Sequence, residues 1–172
     1  QLEAIKKVRE DEFDNVGIMI PLVTHVEQIR LTKAMLREMN MEDVEFGVMV
    51  ETPASVQLIE EFCKEGINFA SIGSNDLTQF TLAVDRNNAK VQKIYNAKHP
   101  AVMKEIKHVI RTCKRYKVKS SLCGQAGSDP SVAKELVDMG IDSIAVNIDA
   151  VGKVRQAVAD EEKKLLLDAA RQ

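Results

Sequence analysis

Apolar residues come in short runs rich in Ile, Val and Met, each followed by a stretch in which they recur with helical spacing. The first kind of run reads as a buried strand and the second as an amphipathic helix, so the order is β then α, repeated. GIMIPLV (17–23) is the first strand, and HVEQIRLTKAMLREM (25–39) is its helix, capped by Thr24. FGVMV (46–50) is the second strand. Pro53 suits the first turn of the helix after it, and Gly66 ends that helix. NFASIG (68–73) is the third strand, followed by a helix near 75–83, the polar stretch DRNNAK and a long helix from Pro100 to about Tyr116. KSSLC (119–123) is the fourth strand. Asp129 and Pro130 open a helix that reaches Met139 and stops at Gly140, DSIAVNI (142–148) is the fifth strand, and a charged helix follows.

Near-continuous apolar strands belong in a parallel sheet covered on both faces, which makes the class α/β. Neither GxGxxG nor GxxxxGK[ST] follows the first strand, so a dinucleotide-binding or P-loop fold has no support. A barrel remains. A full (β/α)8 TIM barrel takes ~250 residues. The 172 residues here, with five β/α units, make a partial TIM barrel in a single domain spanning 1–172. A barrel short of strands leaves sheet edges for another chain to cover, so a homo-oligomer is expected.

The composition, 45% hydrophobic and 29% charged, is that of an ordinary domain with enough apolar matter for a core. No apolar run approaches the ~20 residues that span a bilayer. QLEAIKKVREDEF at the start has no apolar stretch of the signal-peptide kind, so no membrane partner and a cytoplasmic location are expected. A net charge of -2 with both signs interspersed, and only five Phe and two Tyr to stack on bases, argues against nucleic acid. The three cysteines have no CxxC spacing.

In parallel α/β folds the chemistry sits at the carboxyl ends of the strands. The second strand runs into Glu51-Thr52-Pro53, the third into Ser74-Asn75-Asp76 and the fourth into Cys123-Gly124-Gln125. Two carboxylates at one rim are costly to desolvate unless compensated, and they suit a hard cation such as Mg²⁺. The plainer alternative is that Asp76 caps the following helix and Glu51 lies in a first helical turn. Cys123 is a candidate acid or base, or else a small buried hydrophobe, which is the expected fate of Cys63 and Cys113 within helices. Arg86 offers a planar fork for a phosphate or carboxylate, against the usual solvated arginine. His25, His99 and His108 lack metal or triad spacing and read as helix-surface or capping residues.

The segments GVMVETPAS, FASIGSNDLTQFTLAVDR, HPAV, SSLCGQAGSDP and GIDSIAVN, in this order, resemble the phosphoenolpyruvate (PEP)-utilising enzymes across roughly 17–150. The family includes PEP synthase, pyruvate phosphate dikinase and enzyme I of the sugar phosphotransferase system. The CGQA-SD form and the GIDSIAVNIDAV ending resemble the synthase branch more than the CGE form of the other two.

The resemblance implies the C-terminal part of the PEP/pyruvate-binding barrel. It makes Glu51 and Asp76 the Mg²⁺ ligands, Asn75 a contact to the substrate carboxylate or phosphate, and Arg86 a phosphoryl contact. Cys123 would exchange the proton at the methylene carbon, and Ser74, Gly124 and Gln125 would border the substrate. In the family a phosphohistidine domain and an ATP-grasp domain complete the reaction, and neither motif occurs here. Residues 1–172 alone are therefore expected to be inactive. Competing readings are a Mg²⁺-dependent pyruvate aldolase or citrate-type lyase, which lacks SNDLTQ-TLAVDR with CGQ, and a non-catalytic binding or dimerisation module.

Overall fold

The computed structural model describes residues 1–13 and 15–171. A helix unforeseen in the sequence, α1 (Leu2–Glu10), precedes β1 (Ile18–Ile20) and α2 (Val26–Glu38). β2 (Phe46–Val50) leads to two short helices, α3 (Pro53–Gln57) and α4 (Ile59–Lys64). β3 (Phe69–Gly73) passes directly into α5 (Ser74–Leu82), and α6 (Pro100–Tyr116) precedes β4 (Lys119–Cys123). α7 (Pro130–Met139), β5 (Ser143–Ile144) and α8 (Val151–Ala170) follow. The strands form one sheet in the order β1-β2-β3-β4-β5, and every neighbouring pair is parallel. This is the expected arc of a β/α barrel, with β1 and β5 as its edges among the described residues.

Register divides the sheet into two faces. Val48, Val50, Ala70, Ile72 and Leu122 share one face, and each is fully buried. Onto it pack Ile29 of α2, Phe62 of α4, Ile106 and Ile110 of α6 and Leu136 of α7. The other face, the inside of the arc, carries Met49, Ser71, Ser121 and Ser143 in one row, and Glu51, Gly73 and Cys123 at the rim. The expectation of strands apolar on both faces is therefore corrected. The helix-covered face is a hydrophobic core, while the inner face mixes glycines and serines with Met49 and Phe69.

Several boundaries also differ from the sequence reading. β1 stops at Ile20 because Pro21 has no N–H to give a ladder and Leu22 takes a left-handed backbone, φ 50. α2 is capped at His25 rather than Thr24. The Gln28 side chain reaches back instead, accepting the N–H groups of Thr24 (2.8 Å) and His25 (3.0 Å). The single helix expected after Pro53 is split at Leu58, a pivot that lets both Val56 and Ile59 reach the core. The fifth strand keeps only two of its seven expected residues. His99 caps α6, its ring accepting the Ala101 N–H. No helix among the described residues is long and apolar enough to cross a membrane.

Asp129 caps α7 as expected, accepting from the Ser131 N–H (2.8 Å) and hydroxyl (2.7 Å) and pairing with Lys98. The Lys98 ammonium, and then Ser131, hold its carboxyl down to about 2. Because the folded value lies below the unfolded one, the stabilisation is complete above about pH 4 and is lost as pH falls toward 2. Asp129→Ala should cost ~1 kcal/mol at neutral pH. Urea unfolding across pH should show a shallower acid limb in this variant.

Candidate active site

The rim is assembled by register. Val50 pairs with Ile72, and Gly73 with Cys123, so Glu51, Gly73 and Cys123 stand side by side where β2, β3 and β4 end. Glu51 follows the buried Val50 and precedes Thr52, whose hydroxyl accepts the Ser55 N–H (3.1 Å) as the cap of α3. It is thus outside that helix, and the first-turn alternative does not hold. Glu51 is only 8% exposed, and its Oε1 accepts the N–H of Leu22 at 2.8 Å. Oε2 lies over Gly73, where a Cβ would stand 2.8 Å from it. Glycine is what lets the carboxylate settle onto the next strand.

With no loop between β3 and α5, the first turn of that helix is held at the rim. The buried Ser74 hydroxyl donates to the Cys123 carbonyl (2.8 Å), stitching α5 to the end of β4. Asn75 Oδ1 accepts the Gln125 N–H (3.2 Å), and the Asn75 carbonyl accepts the Tyr95 hydroxyl (3.2 Å). Burial pushes that hydroxyl's pKa up. Gly73 occupies the cap position of α5, so Asp76 lies within the first turn and is not the cap. α5 ends at the left-handed Ala83, the chain folds back, and the Arg86 N–H bonds Gln79 Oε1 (3.2 Å). The Arg86 guanidinium then sits 3.7 Å from Asp76 Oδ1.

Cys123 is partly exposed, with Sγ 3.8 Å from Met49 Sδ. Gly124 has φ 109, and a Cβ on it would fall 2.4 Å from Ser74 Oγ and 3.1 Å from Asn75 Oδ1. All eight residues singled out in the sequence thus gather at this rim, tied by Ser74–Cys123, Asn75–Gln125 and Asp76–Arg86. Met49 and Tyr95 were missed. Met49 had a signal, since it lies two residues before Glu51 and so on the same face of β2. Tyr95 sits in the irregular stretch before α6, where no period reports position. Cys63 and Cys113 are buried between α4 and α6, away from the rim, and contact with Cys63 together with burial pushes the Cys113 thiol up.

Among the described residues no three or more His, Cys, Asp or Glu side chains are close enough to cage an ion. The rim offers the Glu51 and Asp76 carboxylates, with the Ser74 hydroxyl and the Asn75 amide beside them. Glu51 and Asp76 would suit Mg²⁺, an ion that binds through one or two carboxylates and keeps several other oxygen ligands.

Residues 1–163 match the family model described as PEP-utilising enzyme, PEP-binding domain. The chain is 57% identical over 168 residues to phosphoenolpyruvate synthase of Pyrococcus furiosus, covering 96% of this chain and 21% of that one. It is 53% identical over 171 residues to a probable phosphoenolpyruvate synthase of Methanocaldococcus jannaschii, covering 98% of this chain and 14% of that one. A phosphoenolpyruvate-protein phosphotransferase of Buchnera aphidicola is 33% identical, covering 92% of this chain and 29% of that one. The chain therefore spans between 14% and 29% of the length of these relatives. Among solved structures, an HpcH/HpaI aldolase/citrate lyase family protein of Burkholderia cenocepacia has a TM-score of 0.62 at 15% identity, covering all of this chain and 70% of that one. A citrate lyase beta subunit of M. tuberculosis has a TM-score of 0.60 at 13% identity, covering 83% of this chain and 60% of that one. At such identities the likeness is one of fold, and it places the sheet as part of a TIM-like barrel. The family model, which matches nearly the whole chain, decides the family: the chain belongs to the PEP-utilising enzymes, as their PEP-binding domain.

Proposed function

We propose that this rim binds PEP and pyruvate as the C-terminal part of a phosphoenolpyruvate synthase, which converts ATP, pyruvate and water to PEP, AMP and phosphate. The observation that carries the reading is the stitching of Ser74-Asn75-Asp76 to Cys123-Gly124-Gln125, beside the buried Glu51. It brings an anion-binding amide, carboxylates and a proton-carrying thiol to one mouth. Glu51 and Asp76 would hold Mg²⁺, which supplies positive charge where the enol oxygen becomes negative.

The chain's own groups divide the remaining work. Because the Gln125 N–H fixes Asn75 Oδ1, the amide NH₂ is the end left to donate to a substrate carboxylate or phosphate. Gln125 on this reading acts by orienting Asn75. Arg86, steadied by Asp76, presents its fork to the phosphoryl group. Cys123 exchanges a proton with carbon 3, giving it as PEP becomes pyruvate and taking it in the synthetic direction. Phosphoryl transfer belongs to a phosphohistidine on another domain and ATP to a grasp domain of the longer protein, so residues 1–172 alone do not turn over.

Calorimetric titration with oxalate, a mimic of the enolpyruvate carboxylate and oxygen, tests the reading. Binding is expected with Mg²⁺, and is expected to vanish with EDTA or in Asp76→Ala. Equal binding in EDTA, or in the alanine variant, would remove the metal from the rim.

A further inference from the structure

Met49 stands two residues before Glu51 on β2, so both side chains point to the inner face, and its pairing with Ser71 puts it one row below the rim. Its sulfur is 3.8 Å from Cys123 Sγ. It also lies against β3, close enough that a Cβ on Gly73 would stand 3.3 Å from it and 2.8 Å from Glu51 Oε2. The thioether therefore floors the space between the thiol and the carboxylate. Methionine usually makes an adaptable wall. Here the backbone of Gly73 backs the sulfur and limits its retreat.

We propose that Met49 sets the size of acid this site accepts, admitting a three-carbon 2-oxo acid or its enol and excluding one with a further methyl on carbon 3. The inference rests on the pyruvate reading of the rim. For proton exchange, carbon 3 must come within ~3–3.5 Å of Cys123 Sγ. A carbon that reaches the thiol from the side of the Glu51 carboxylate meets Met49 Sδ, which lies 3.8 Å from Cys123 Sγ and beside Glu51 Oε2 over Gly73. A methyl added to that carbon has to displace the thioether. One such group in an apolar pocket is discriminated by about 10- to 200-fold.

Two alkylating probes read this directly: 3-bromopyruvate and 3-bromo-2-oxobutyrate. Each rate of Cys123 modification, followed by peptide mass spectrometry, is divided by the probe's rate with free 2-mercaptoethanol to remove intrinsic reactivity. The unaltered chain is expected to prefer the smaller probe by about 10-fold or more. Met49→Leu, of similar volume, should keep the preference, and Met49→Ala should reduce it to within about 3-fold. Met49→Val gives the same reading if the alanine variant does not fold. An undiminished preference in folded Met49→Ala or Met49→Val would overturn the proposal, as would equal loss in Met49→Leu. Protection of Cys123 by oxalate with Mg²⁺, measured alongside, tests the pyruvate reading separately. Protection without Met49 dependence overturns the wall alone. Met49 dependence without protection overturns the pyruvate reading and retains Met49 as the limit on what reaches the thiol.

Discussion

Glu51→Gln is expected to weaken Mg²⁺-dependent oxalate binding by about 100-fold or more while leaving the fold intact. The amide keeps an oxygen for the Leu22 N–H, so the left-handed turn there, φ 50, retains its anchor. What disappears is one of two negative charges available to a cation. Replacing the carboxylate of this buried residue with a neutral amide also relieves desolvation, so thermal stability should hold or rise slightly. Glu51→Ala should differ, because it strands the Leu22 N–H as well and adds a cost of ~1–3 kcal/mol. Calorimetry and thermal unfolding on both variants separate the two contributions. Unchanged affinity in Glu51→Gln would place the cation elsewhere.

Gly124→Ala carries the largest expected loss of stability. The backbone at φ 109 disfavours any side chain, and the new Cβ would fall 2.4 Å from Ser74 Oγ. That hydroxyl has nowhere to go, since Ser74 is fully buried and bonded to the Cys123 carbonyl. Strain and overpacking together should cost ~3 kcal/mol or more. In a chain of 172 residues this lowers the melting temperature by about 6–12 °C. The stitch between β4 and α5 would open at the same time, so oxalate binding should fall with stability. A melting temperature within about 2 °C of the parent would mean that Ser74 is free to move.

Most of this rim was legible because strand ends announce themselves: an apolar run that breaks into Glu51, Asn75-Asp76 or Cys123-Gly124 has only one place to put those groups in a parallel sheet. The long helix α6 was equally plain, bounded by Pro100 and by a left-handed residue at Lys117. Less could be seen where tertiary packing overrides the local pattern. α1 is too charged to stand out, and Val146 and Asn147 continue an apolar-looking run but leave the sheet after Ile144. The break at Leu58 answers to two core positions that no local signal links. Met49 reads in sequence as one more apolar strand residue, and its place beside Cys123 becomes visible only once the inner face is known.

The shared register of β2, β3 and β4 has a further consequence for any mutational scan. The helix-covered positions are all even-numbered: Phe46, Val48, Val50, Ala70, Ile72, Ser120 and Leu122. The inward positions are all odd-numbered: Gly47, Met49, Phe69, Ser71, Gly73, Lys119, Ser121 and Cys123. Folding yield and ligand selectivity thus occupy alternate letters of the same three words. Drift at Met49, Ser71 or Ser121 can alter the inner face while the even positions keep the scaffold, whereas Gly47 and Gly73 are held by the side chains packed over them.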